Sequence, residues 1–104
     1  MEIQQALHNY TGKSGPRLNC AQSVAAAFGA DPQAFAAFGG GQAPEGWCGA
    51  AYAAAHLTGN PEAIRNAFQK KAGAITCKAI RQNRILPCPG CVETAAHLTK
   101  EFKP

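Results

Sequence analysis

The run from Cys48 to Ala55, Cys-Gly-Ala-Ala-Tyr-Ala-Ala-Ala, limits what this chain can fold into. Alanine is the strongest helix former, so the run is helical by preference. Its side chains are too small to fill the usual gap between packed elements. A neighbour's backbone must come close if such a helix is to be buried. Trp47 and Tyr52 are the bulky groups near it. Leu, Ile and Val are sparse elsewhere, and five Phe, two Tyr and Trp47 supply the large side chains. The expected fold is all-α, a compact bundle of five to seven short helices with small contact residues. A core of this kind buries less apolar area per residue than a leucine-rich one. A cofactor, a crosslink or a second subunit would help to stabilise it, and the alanine-rich helices are compatible with a homodimer. The 104 residues suffice for one domain, residues 1–104, with one core.

Punctuation along the chain places the helices. Ile3, Leu7 and Tyr10 recur at helical spacing in a short first helix, broken at Thr11-Gly12-Lys13-Ser14-Gly15-Pro16. Gly12-Lys13-Ser14 lacks the earlier glycine of a phosphate-binding loop, because Leu7 stands there. A second helix is expected from Asn19 to Phe28. Asp31-Pro32 caps a third, short one reaching Phe38, and Gly39-Gly40-Gly41 ends it. The alanine helix runs from about Trp47 to Thr58 and stops at Gly59. Asn60-Pro61 starts the next, which ends at Gly73. Thr76 to Asn83 and about Pro89 to Phe102 complete the set. No segment alternates as a half-buried strand does.

Five cysteines fall on this framework: Cys20, Cys48, Cys77, Cys88 and Cys91. The first four each lie at or near an expected helix start. There the unpaired N–H groups and the positive end of the helix dipole favour a thiolate, the form that binds metal or attacks sulfur. Helix starts that converge would gather the four thiols into one site. Gly39-Gly40-Gly41 would let the chain pass close over it. Cys88-Pro89-Gly90-Cys91 is also a CxxC pair. It lacks the preceding strand of a thioredoxin and the second CxxC of a zinc ribbon.

Asn19-Cys20-Ala21-Gln22-Ser23-Val24, Gly39-Gly40-Gly41 leading to Cys48-Gly49-Ala50, Cys77 before a basic helix, and Cys88-Pro89 with Val92 form a pattern. It resembles the redox-active proteins named for their C_GCAxxG_C_C cysteines, over about Asn19 to the C-terminus. The resemblance matches Cys20, Cys48, Cys77 and Cys88 to the family's four cysteines and leaves Cys91 as an extra. The glycine that closes the family's central motif is Ala53 here. The resemblance implies a small redox protein of bacterial or archaeal type, without supplying a reaction. Similar patterns occur in proteins proposed to hold an iron–sulfur cluster.

Two forms of redox chemistry suit these residues. In one, Cys20, Cys48, Cys77 and Cys88 are ligands of an iron–sulfur cluster and the protein carries electrons. In the other, Cys88 or Cys48 attacks a disulfide and a neighbour, Cys91 included, resolves it. A zinc or other metal-binding module with the same four ligands is the alternative from a different class. A helical interaction domain with inert thiols is the third. The expected partner is a redox protein or a small-molecule oxidant or reductant.

Net charge is +4, with no acid between Glu62 and Glu93 while Arg65, Lys70, Lys71, Lys78, Arg81 and Arg84 fall there. This suits an anionic partner or a solvated helix face. Aromatic residues are not interleaved as nucleic-acid binding needs, so none is expected. Arg81, four residues after Cys77, is placed to stabilise a thiolate or to be solvated. His56 shares a helix face with Cys48 and Tyr52 but lies about 12 Å along the axis from Cys48, too far to ligate one ion with it. It is expected to be structural or at the surface, while His8 and His97, set among polar residues, are expected to be exposed. Trp47 is expected to anchor the core. Carboxylates are few and scattered, which leaves paired acid–base hydrolysis without candidates. The first residues carry neither the basic nor the apolar region of a signal peptide, no apolar run is long enough to cross a membrane, and a cytoplasmic location is expected.

Overall fold

Polar caps start the helices where the sequence puts them. A computed structural model describes residues 2–13, 15–39 and 42–102. They form helices α1 (Glu2–Thr11), α2 (Cys20–Ala27), α3 (Gly49–Thr58), α4 (Pro61–Ala72), α5 (Cys77–Asn83) and α6 (Cys88–Phe102). The Asn19 side chain accepts from the Gln22 N–H at 2.7 Å, and Gln22 accepts in return from the Asn19 N–H at 3.1 Å. This reciprocal cap sets the start of α2 one residue before Cys20. Asn60 and Thr76 cap α4 and α5 one way, their side chains accepting from the Ala63 and Ala79 N–H groups. The segment Pro32–Phe38, expected as a helix, is a 3₁₀ turn capped by Asp31. In that tighter coil residues three apart eclipse one another, which sets Phe35 and Phe38 edge to face with ring centres 6.2 Å apart. A second 3₁₀ turn, Pro44–Gly46, was not anticipated; Glu45 adopts positive φ within it.

The alanine helix lies at the centre. α2, α4 and α6 all pack against α3, and α1 closes the bundle against α2 and α6. Ala50, Ala51, Ala53 and Ala54 are fully buried. Small side chains on α3 let three helices approach it together. Ala53, where the resembled pattern has glycine, is one of these contacts. Bulk comes from the partners: Val24 on α2, Ile64 and Phe68 on α4, and Val92 on α6 are fully buried. Asn9, buried between α1 and α2, accepts from Gln5 Nε2 at 2.9 Å and donates to the Ser23 carbonyl at 3.2 Å. Among the described residues no buried side-chain polar atom lacks a hydrogen-bond partner.

α5 stands apart from this packing, touching other helices only sparsely. Buried Ile80 anchors it in the core. Its entry is fixed by backbone contacts: Trp47 and Thr76 form an isolated antiparallel bridge, and the Cys48 N–H donates to the Ile75 carbonyl at 2.8 Å. Among the described residues there is no β-strand, and no helix is long and apolar enough to cross a membrane.

Candidate functional site

The backbone pairing just described sets two cysteine-bearing helix starts side by side. Cys48 is the N-cap of α3, and Cys77 is the first residue of α5. Cys20 opens α2 and Cys88 opens α6. The packing of α2 and α6 against α3 brings these two in as well. Gly49 makes the approach of α2 possible. A Cβ there would collide with the Phe38 carbonyl oxygen and sit 2.7 Å from Cys20 Sγ. All five cysteines line one cavity of about 700 Å³.

Cys91, the residue outside the four-cysteine pattern, is a full member of this wall. It lies one turn into α6, is 4% exposed, and its sulfur accepts a hydrogen bond from the Cys48 thiol. The two sulfurs shift each other's pKa in opposite directions. Donation to Cys91, with burial added, holds the Cys48 thiol pKa well above its ordinary value. The same hydrogen bond stabilises the Cys91 thiolate and lowers its pKa. At Cys48 the helix-start effect, which favours the thiolate, is therefore outweighed. The N–H groups of Ala51 and Ala50 favour its thiolate only weakly and make no cap hydrogen bond to it. A bonded neighbour and burial outweigh them.

Cys88 is half-buried. The Tyr10 hydroxyl and the Arg81 guanidinium both face its sulfur across the cavity. Burial and the contact with Cys88 push the Tyr10 pKa up to about 12, so Tyr10 keeps its proton as a donor. Arg81 is exposed, and proximity to the sulfurs of Cys77 and Cys88 raises its pKa further. It is solvated and faces the sulfurs of Cys77 and Cys88 at the same time. Burial pushes the Cys77 thiol up, and the Arg81 charge partly offsets this.

The rest of the wall has two characters. Leu18, Ile80, Leu86 and Pro87 make it apolar, while Arg17 and Arg84 join Arg81 as cations. Arg84 closes α5 in the left-handed conformation, with φ 57°. That region disfavours residues with a Cβ, and glycine is the usual choice. Arg84→Gly is expected to stabilise the fold by about 0.5 kcal/mol, the relief of left-handed strain less the greater chain entropy of glycine. Urea unfolding of the variant beside the parent checks this.

Tyr10, Arg17 and Arg84 were not anticipated here. Tyr10 carried only a helical-spacing signal, and α1 delivers it to the site by packing on α2 and α6. Trp47 does not shield the cysteines; half-buried, it lines a separate hollow with Tyr52 and His56. His56 is exposed, with its ring edge against Phe35 at 5.5 Å. His97 is exposed, but His8 is half-buried. Gly39 packs tightly on Asn19, where a Cβ would come within 2.7 Å of the side chain. Gly40 and Gly41, expected to pass over the site, lie outside the described residues.

Thiolates are suitable donors for iron–sulfur clusters and zinc. Yet among the described residues no three Cys, His, Asp or Glu side chains are grouped so as to hold a metal ion. Cys20, Cys48, Cys77 and Cys88 share the wall without forming a ligand cage around one ion. No disulfide joins any of the five. No protein-family model, curated protein or solved structure matches the chain.

Proposed function

We propose that this protein is a thiol–disulfide redox protein, with Cys91 and Cys48 as its working dithiol. One observation carries the reading: all five cysteines line one cavity, and in its wall the buried thiols of Cys48 and Cys91 interact so that the Cys91 pKa is lowered. The thiolate is the attacking form of cysteine. The Cys91 thiolate attacks one sulfur of a disulfide bound in the cavity. A mixed disulfide forms, and the other half of the substrate leaves as a thiolate. The proton on Cys48 passes to that leaving group. The Cys48 thiolate then attacks Cys91 Sγ and expels the second half as a thiolate. Two electrons have moved from the protein to the substrate, and the protein holds a Cys48–Cys91 disulfide. Cys88 lies one turn before Cys91 on the same helix. It is faced by Tyr10 and Arg81 and stands beside the reacting sulfur as the other half of the CxxC pair.

Reduced protein treated with a small disulfide under anaerobic conditions is expected to lose thiols in pairs. Peptide mapping is expected to find Cys48 joined to Cys91. Retention of all five thiols would sink the dithiol reading. Iron and sulfide in anaerobically purified protein would replace it with the cluster reading.

A further inference from the structure

We propose that the disulfide reduced in this cavity is a small molecule bearing carboxylates, which Arg17, Arg81 and Arg84 hold while its sulfurs meet Cys91. This deepens the thiol–disulfide reading and rests on it. The size of the cavity, about 700 Å³, falls in the range of small-molecule sites. Among the described residues that line it, every cation is an arginine and none is Asp or Glu. Guanidinium groups match carboxylates through paired parallel hydrogen bonds.

The arginines are placed around the sulfurs. Arg81 shares the cavity wall with Cys77 and Cys88 and marks the sulfur end. Arg17 is held by its own contacts: its Nε donates to the Tyr10 carbonyl at 3.3 Å, and its Cγ packs against Gly12, where a Cβ would come within 2.7 Å. Arg84 occupies a left-handed position that glycine would fill with less strain. A long cation at such a strained position, lining a cavity, points to ligand contact. Between these charges, Leu18, Ile80 and Leu86 offer an apolar floor for the methylenes that link a carboxylate to a sulfur. Arg84 and Arg81 also face a neighbouring hollow with Lys78 and Glu45. The acid there belongs to that hollow and does not line the cysteine cavity.

The test uses three small disulfides: 3,3′-dithiodipropionate (a dianion), bis(2-hydroxyethyl) disulfide (neutral) and cystamine (a dication). Each is mixed with the reduced protein, thiol loss is followed, and every rate is divided by that of free cysteine with the same disulfide. The normalised rate for the dianion is expected to exceed that for the dication by roughly 100-fold at low ionic strength. The preference is expected to shrink in about 1 M salt, where charges are screened within a few ångströms. Arg84→Gly is expected to lower the dianion-to-neutral ratio about tenfold, the scale of one lost hydrogen bond to a charged group. Arg65→Gln on α4, away from the cavity, is expected to leave the ratio within about twofold. Equal normalised rates for the three probes would overturn the carboxylate assignment while leaving the dithiol chemistry standing. So would oxidation by a protein disulfide alone. Failure of every disulfide to consume thiols would overturn the thiol–disulfide reading itself.

Discussion

Gly49→Ala is expected to destabilise the protein by about 2–3 kcal/mol, near the upper end of what overpacking costs. Tm should fall by roughly 10–15 °C for a domain of this size. On propensity alone, alanine in a helix gains about 1 kcal/mol over glycine. Geometry reverses the sign. The added methyl meets the Phe38 carbonyl oxygen and Cys20 Sγ, and Ala21 Cβ lies 3.3 Å away. A backbone carbonyl cannot rotate aside as a long side chain can, so α2 or the Pro32–Phe38 turn must shift. Because Cys20 is one of the obstructing groups, the variant should also move a thiol on the cavity wall. Thermal unfolding measures the first effect, and the alkylation rate of Cys20 measures the second. A variant as stable as the parent would show that α2 does not approach α3 as described.

Cys91→Ser is expected to reduce disulfide reduction by at least about a thousandfold, as removal of an attacking nucleophile does. Cys48→Ala should act differently. It leaves Cys91 without its donor, and that hydrogen bond is the largest cause of the lowered Cys91 pKa. The pH profile of Cys91 alkylation should therefore move up in Cys48→Ala. The mixed disulfide with substrate should accumulate, because the resolving thiol is gone. An unchanged profile would break the link between the two sulfurs. The pair also makes stability depend on pH. A lowered folded pKa at Cys91 contributes stability above the ordinary thiol value, and this is lost as pH falls through the folded value. A raised folded pKa at Cys48 contributes stability below the ordinary thiol value, and this is lost as pH rises through the folded value. The pair is thus most stabilising near the ordinary thiol range. Urea midpoints across pH should fall on either side of it, and the double variant Cys48→Ala/Cys91→Ser should flatten that dependence.

Local signals were legible and long-range pairings were not. Asn19, Asn60 and Thr76 cap helices through hydrogen bonds spanning three residues, so the cysteine-bearing starts could be read directly. The alanine run announced a tightly packed centre for the same reason: its side chains have nothing else to offer. Cys91 looked like a surplus residue because it stands inside a helix, not at its start. Its role depends on α6 lying against α3, which no local pattern encodes. Tyr10 and Arg17 reach the cavity through the docking of α1, again a matter of packing. The direction of the Cys48 pKa shift was missed because the helix end was counted and the neighbouring Cys91 and burial were not.

The tether of α5 has a consequence for motion. The sulfur pair belongs to α3 and α6, whose faces are closed by buried alanines and valine. Arg81 and the C-cap Arg84 belong to the seven-residue α5, fastened by Ile80, the backbone contacts at its entry and the Asn83 side chain, which donates to the Ala72 carbonyl at 3.2 Å. Segments with few buried contacts open at lower free energy than the body they rest on. The cavity is therefore built from a rigid half that holds the electrons and a looser half that holds the charge. A bound anion that touches both halves ties the looser helix to the bundle, so occupancy of the cavity is itself a source of order for α5.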